Sequence, residues 1–180
     1  MGRKEEIFVK WIAPPSGWIA LNSDGAAKGA PGLAGGGGII RDHWGRMVRA
    51  YSANFGICTA YKAELKAVAI GLELMHEMGF MKVIIQMDNA ACIQSLLKED
   101  YNGGDCYFIL EKCGKLLKFN GWTIELQHCF REGNRVADAL ANQGVQQTEK
   151  LLIFHEIPDG LGSLLNNDIA GVALPRLVNM

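Results

Sequence analysis

The chain has 180 residues, 49% hydrophobic and 21% charged, which suits one globular domain able to bury a core without staples. Its formal net charge of −1 excludes a protein that grips nucleic acid or an anionic membrane by bulk charge alone, but not one that meets phosphates through bound cations. Five cysteines without a C-x-x-C pair argue against a disulfide framework or a zinc site, and for a reducing intracellular setting, nuclear or cytoplasmic.

The first residues, MGRKEEIFVKW, lack the apolar core of a secretory leader. No apolar run reaches the roughly 18 residues needed to cross a bilayer, so no membrane partner is expected. WIAPPSG (11–17) reads as a loop, because Pro14 and Pro15 interrupt regular structure. GWIALNSD (17–24) alternates in polarity and predicts a strand ending near Asp24. Residues 35–41 (GGGGIIR) and 46–55 (RMVRAYSANF) predict two more strands, joined by the turn DHWG with Gly45 as its permissive residue.

From 59 to 80 the period changes. Leu65, Val68, Ala69, Leu72 and Met75 mark one face of an amphipathic helix, with Thr59 as N-cap and Gly79 just past the C-terminus. KVIIQMD (82–88) is near-continuously apolar, as buried parallel strands are. There follow a short helix (89–98), a loop (102–104), a second amphipathic helix (105–119), a strand (122–128) and a helix (134–147) with Asn134 at its start. The stretch 149–180 is broken by Pro158, Gly160, Gly162 and Pro175 and predicts a loosely docked extension, in which LLIF (151–154) and LPRLV (174–178) can pack on the body. The resulting organisation is a lead-in (1–15), a domain (16–148) and a partly docked extension (149–180). The element order predicts a mixed α/β fold with helices on the sheet faces.

Four carboxylates interrupt apolar elements rather than sit on solvated faces. Asp24 and Asp88 end strands, Glu64 shares a helix face with Val68 and Gly71, and Asp138 lies between Ala137 and Ala139. If the first and fourth predicted strands are neighbours, Asp24 and Asp88 meet at one sheet edge, where α/β proteins place sites. Like charges so close need cations between them. Oxygen-only donors favour Mg²⁺ or Mn²⁺, and a pair of such ions about 3.5–4 Å apart suits in-line phosphodiester displacement. Taken singly, each acid also fits a cap, turn or surface charge.

Four stretches together, LNSDGAAKGAPGLAGGGGIIRD, GICTAYKAELKAVAIGLEL, KVIIQMDNAACIQSL and HCFREGNRVADALAN, resemble the type 1 ribonuclease H domain. The similarity is to the plant branch, found alone or at the end of non-LTR retroelement polyproteins. The resemblance implies a ribonuclease H-like five-stranded mixed sheet with its first three strands antiparallel. It implies cleavage of the RNA strand of an RNA–DNA hybrid with Mg²⁺ or Mn²⁺, leaving 5′-phosphate and 3′-hydroxyl ends. The family's acidic tetrad falls on Asp24, Glu64, Asp88 and Asp138, and its mobile histidine on His128, ten residues before Asp138. Thr59 matches a DNA-phosphate contact; Gly25, Asn89 and Asn134 are further candidate nucleic-acid contacts, Gly25 by letting a substrate strand approach its bare backbone. Gly36 to Gly38 read instead as packing positions.

Three positions depart from the family. Ala30, Ala60 and Ala90 stand where Asn, Asn and Gln commonly read the minor groove of the hybrid. Residues 98–119 lack the Trp-rich basic helix of many relatives, and Lys112, Lys115 and Lys118 read as a modest basic stripe or a solvated face. Two other readings therefore stand beside the hybrid nuclease: a weak or inactive nucleic-acid-binding or interaction module on the same fold, and a nuclease for another duplex. A monomer is expected, since no dimer signal such as an exposed heptad is present.

Overall fold

The computed structural model describes residues 2–98, 101 and 104–180; residues 102 and 103 of the loop expected at 102–104 lie outside these. Among the described residues no helix is long and apolar enough to cross a membrane. The strands are β1 (Lys4–Val9), β2 (Ile19–Ala27), β3 (Gly32–Arg41), β4 (Met47–Cys58), β5 (Lys82–Met87), β6 (Thr123–His128), β7 (Leu151–Phe154) and β8 (Leu174–Asn179). The helices are α1 (Ala60–Glu77), α2 (Ala90–Leu97), α3 (Tyr107–Leu117), α4 (Arg135–Gln146) and α5 (Gly162–Ile169).

The main sheet runs β6-β5-β2-β3-β4-β7, and β1 pairs with β8 in a separate two-stranded ribbon. β2, β3 and β4 are antiparallel to one another, while β5 runs parallel to β2 and β6 parallel to β5. This is the expected mixed α/β sheet, with a sixth strand where five were expected. The addition is β7, which pairs antiparallel with β4 through Ala50↔Phe154 to Ala53↔Leu151. A four-residue run of Leu, Leu, Ile and Phe is too short to declare its pairing in sequence, but the open edge of β4 supplies a template for it.

Alternation along β3 divides the core. Ile40 points into a large cluster with Leu21, Tyr51, Leu65, Leu72 and Met75, whereas Ile39 points into a smaller one with Ala50, Val136, Leu140, Leu161 and Leu165. The glycines before them have the same period. A Cβ on Gly35 or Gly37 would strike the α4 backbone, at Val145 N (2.3 Å) and Leu140 C (2.5 Å) respectively. A Cβ on Gly36 would meet Phe55 and the Ala67 methyl of α1, and on Gly38 the Tyr51 ring, whose hydroxyl donates to Ala67 O at 2.6 Å. The reading of Gly36 to Gly38 as packing positions therefore holds. The run lets helices lie on the sheet from both sides at backbone distance.

The segment expected to dock loosely, 149–180, carries β7, α5 and β8. Leu161 and Leu165 are core residues, and Asp168 is buried in an ion pair with Arg41 (Nη1–Oδ2, 2.7 Å). Arg41 is fully buried. It also donates to Asn22 Oδ1 at 2.8 Å and stacks 3.7 Å from the Trp11 ring centroid. The lead-in likewise holds more order than the sequence indicates, because β1 finds its partner 170 or so residues away, with Lys4 opposite Asn179. Neither strand has a neighbour close in sequence to reveal it.

Two outcomes follow from this packing. Asp168→Ala leaves a buried guanidinium without its counter-charge and is expected to cost about 3–5 kcal/mol in urea unfolding. Gly37→Ala drives a methyl into α4 and is expected to cost about 1–3 kcal/mol, with a weaker divalent-cation effect on the melting temperature, because α4 carries Asp138.

Candidate active site

β2 and β5 pair from Ile19↔Val83 to Asn22↔Gln86 and then part. The sequence places the end of the strand near Asp24; in the structure β2 continues to Ala27, held by β3 alone. Asp24 thus stands where the crevice opens, and Asp88, one residue past the end of β5, stands beside it. The two strands are neighbours, as the meeting of these acids requires. Glu64 reaches the same place from the second turn of α1. Thr59 caps this helix, its hydroxyl accepting from Lys62 N at 3.2 Å. Gly25 sets how near α1 lies: a Cβ there would stand 2.3 Å from Glu64 N. Close packing against α1 therefore requires glycine at 25, a reason the sequence does not show, and Gly25 also lines the cleft.

Carboxylate oxygens of Asp24, Glu64 and Asp88 lie within 4.8 Å of one another. Asp24 is 4% exposed and Glu64 5%. Asp138, in the first turn of α4, joins them along a cleft of about 610 Å³ that also contains Lys28, Arg131 and Asn142. Burial, more than any neighbour, raises the proton affinity of Asp24, with Asp88 and Asp138 adding to it. Burial and then Asp24 push the Glu64 carboxyl well above the ordinary carboxylate range. Asp88 is also raised by burial, though Arg131 opposes this, its Nε lying 3.8 Å from Asp88 Oδ2. Glu64 Oε2 is buried without a hydrogen-bond partner. A buried carboxylate with one orphaned oxygen, clustered with two more carboxylates, fits a hard divalent cation with oxygen ligands, such as Mg²⁺ or Mn²⁺.

The other expected residues separate. His128 is exposed at the end of β6, and its Nε2 lies 3.2 Å from Asp88 O. Asn89 lines the cleft and caps α2, accepting from Cys92 N at 3.1 Å. Thr59 is a cap outside the cleft-lining set. Asn134 is 1% exposed: its amide nitrogen donates to Ser23 O at 3.1 Å and its oxygen accepts from Asn22 at 3.0 Å. Asn134 therefore cannot touch a nucleic-acid strand in this structure, and it does not cap α4 with its side chain; it is an internal tie beneath Asp24. Ala60 and Ala90 do line the cleft. On α3, Lys112 pairs with Glu73 and Lys115 with Glu111, so the lysine stripe is largely answered by acids. Arg131, Lys28 and Asn142 are cleft residues that sequence reasoning missed. Arg131 carried the best signal, a basic residue bracketed by His128 and Asp138.

The sequence profile of the family described as reverse transcriptase-like matches residues 22–144, the span that carries all four acids. The chain belongs to that family. Over 175 residues this reverse transcriptase-like chain is 34% identical to the Arabidopsis thaliana protein named "Putative ribonuclease H protein", covering 97% of itself and 28% of that relative. Over 124 residues it is 31% identical to ribonuclease HI of Halobacterium salinarum, covering 68% of itself and 61% of the relative. It thus spans less than two thirds of the length of each of these curated relatives, and under a third of the first. Its fold is that of ribonuclease H: the crystal structure of RNase H1 from Halobacterium salinarum superposes with a TM-score of 0.64 at 26% identity, covering 72% of this chain and 98% of that one. LC11-RNase H1 in complex with RNA/DNA hybrid superposes with a TM-score of 0.65 at 26% identity, covering 71% and 96%.

The raised carboxyls have a consequence for pH. The folded, metal-free protein holds protons on Asp24 and Glu64 that the unfolded chain releases near pH 4. Stability therefore falls as pH rises from about 4 through neutrality. A melting temperature that declines over this range without metal, and declines less with Mg²⁺ because the cation binds the ionised forms, is the expected result by differential scanning fluorimetry. Asp24→Asn should remove most of the Mg²⁺ effect.

Proposed function

We propose that this chain is a metal-dependent endonuclease that cleaves the RNA strand of RNA–DNA hybrids. The observation that carries the reading is the convergence of Asp24, Glu64 and Asp88, with one Glu64 oxygen buried and unpartnered and Asp138 on the same cleft. Its support from relatives is that curated proteins similar to the chain are named ribonuclease H, and that a structural neighbour is described in complex with RNA/DNA hybrid.

In this reading Asp24, Glu64, Asp88 and Asp138 hold Mg²⁺ or Mn²⁺, one ion or two. The bound metal supplies Lewis acidity and the positive charge that draws a phosphodiester into an acidic cleft. The chain's own residues do the rest. Burial of Asp24 and Glu64 fixes their rotamers and keeps water from competing for their oxygens. Arg131 offsets the charge of Asp88 and stands where the polyanion enters. His128, exposed beside Asp88, helps product or metal leave in this reading.

A hybrid-binding module with little activity is the second reading, favoured by one observation: the cleft wall at Ala60 and Ala90 offers methyl groups where relatives commonly present amides. Gel cleavage of a labelled RNA–DNA hybrid with Mg²⁺ and then Mn²⁺ separates the two, with double-stranded and single-stranded RNA as controls. Hybrid-selective cleavage is expected. Losing an outer-shell partner of a metal site already costs 10–100-fold, so Asp88→Asn is expected to lower the rate by more than about 100-fold with the fold intact. A folded protein inert with both metals overturns the nuclease reading in favour of the binding module.

A further inference from the structure

A second cleft of about 290 Å³ adjoins the acidic one and shares Asp88 and Arg131 with it; His128, Phe130 and Arg176 complete its wall. Arg176 comes from β8, outside the span of residues 22–144 that the family profile matches. The pairing of β8 with β1 puts Arg176 opposite Ile7, on the inner side of the ribbon. Its guanidinium lies 4.4 Å from the Phe130 ring centroid. Its Nη1 donates to both carboxylate oxygens of Glu132, at 3.1 and 3.0 Å, and its Nε is buried without a partner. Arg131 is the opposite case. Its side chain is 78% exposed and its contact with Asp88 is a loose 3.8 Å.

Two guanidinium groups and an exposed imidazole thus face a space continuous with the metal cleft. A planar guanidinium stacked on an aromatic ring is held ready for a phosphate. Resting on the ribonuclease H reading above, we infer that the terminal ribbon supplies a second backbone-phosphate site, made by Arg176 with Arg131, which holds the nucleic-acid strand next to the scissile position. The ligand is a phosphodiester of the hybrid, taken without regard to base. Glu132 is then the internal competitor that holds Arg176 until a phosphate displaces it. The ribbon would also compensate for the missing side chains at Ala60 and Ala90, since backbone contacts carry affinity where groove contacts are absent.

The alternative is that Arg176 only braces the turn at Phe130–Gly133. The two differ in sign. A brace is broken from either end, so Arg176→Ala and Glu132→Gln would both weaken binding. A phosphate site is weakened by Arg176→Ala and strengthened by Glu132→Gln, which frees the arginine and removes an acid. The experiment is fluorescence anisotropy of a short labelled RNA–DNA hybrid over a salt series, with Ca²⁺ in place of Mg²⁺ and strand integrity checked on a gel. Arg176→Ala is expected to weaken binding about tenfold and to make the slope of log K against log salt shallower by about 0.9. Glu132→Gln is expected to tighten binding. Weakening by both variants, or an unchanged salt slope in Arg176→Ala, overturns the inference while leaving hybrid cleavage by the unmodified chain to support the nuclease. If Arg176→Ala does not fold, the sign of Glu132→Gln decides. An unmodified chain that neither binds nor cuts the hybrid overturns both readings.

Discussion

At positions 35 to 38 the central strand β3 presents backbone and nothing else to its neighbours. Successive residues of a strand face opposite sides, so this bare stretch lets α4 settle on one face and the Tyr51–α1 packing on the other, each at a separation that no larger residue permits. Those helices carry Asp138 and Glu64. The cluster of carboxylates is therefore a product of close packing one strand away. What looks in sequence like a flexible, substrate-friendly run is among the tightest interfaces in the molecule. Gly144 of α4 completes it from the other side, since a Cβ there would lie 2.4 Å from Ala53 O.

A second constraint lies under the first. Trp11 Nε1 contacts Asn22 Oδ1 and Gln86 Oε1, both at 3.0 Å, and Asn22 joins Arg41 and Asn134. With Asp168 on Arg41, this buried polar network ties β2, β3, β5, the start of α4 and the C-terminal helix at the root of the crevice. Such a network is favourable only if its members are satisfied together. Its directional bonds define the spacing between β2 and the start of α4 more narrowly than apolar contacts alone would.

Much of this was legible beforehand. Asp24 and Asp88 each close an apolar run, and such an interruption is hard to explain by patterning alone. The change of period after Thr59 located α1 and, with it, the face of Glu64. The failures have physical reasons. Glycine needed for a neighbouring helix and glycine needed for a ligand look identical in sequence, so the close approach of α1 to Gly25 is not legible there. Asn134 sits at a helix start, where an amide is normally a cap, and only the fold shows its side chain turned inward. Arg41 ends a strand beside a turn and looks like any surface arginine, because its counter-charge is 127 residues away. The same separation hides the order of the last thirty residues, whose short apolar runs have meaning only against surfaces made by the rest of the chain.

That separation also governs when the protein can become itself. Synthesis delivers Arg41 early and Asp168 late, and β1 emerges long before β8. Until the last turn of α5 has left the ribosome, a nascent chain carries a charge that it cannot bury and a first strand that it cannot pair. Contacts of such long range are slow to form, so the domain completes only after nearly all of it has been translated. Through that interval the apolar faces of β3 and β4 lack part of their eventual cover, and exposed surface of that kind favours misassociation.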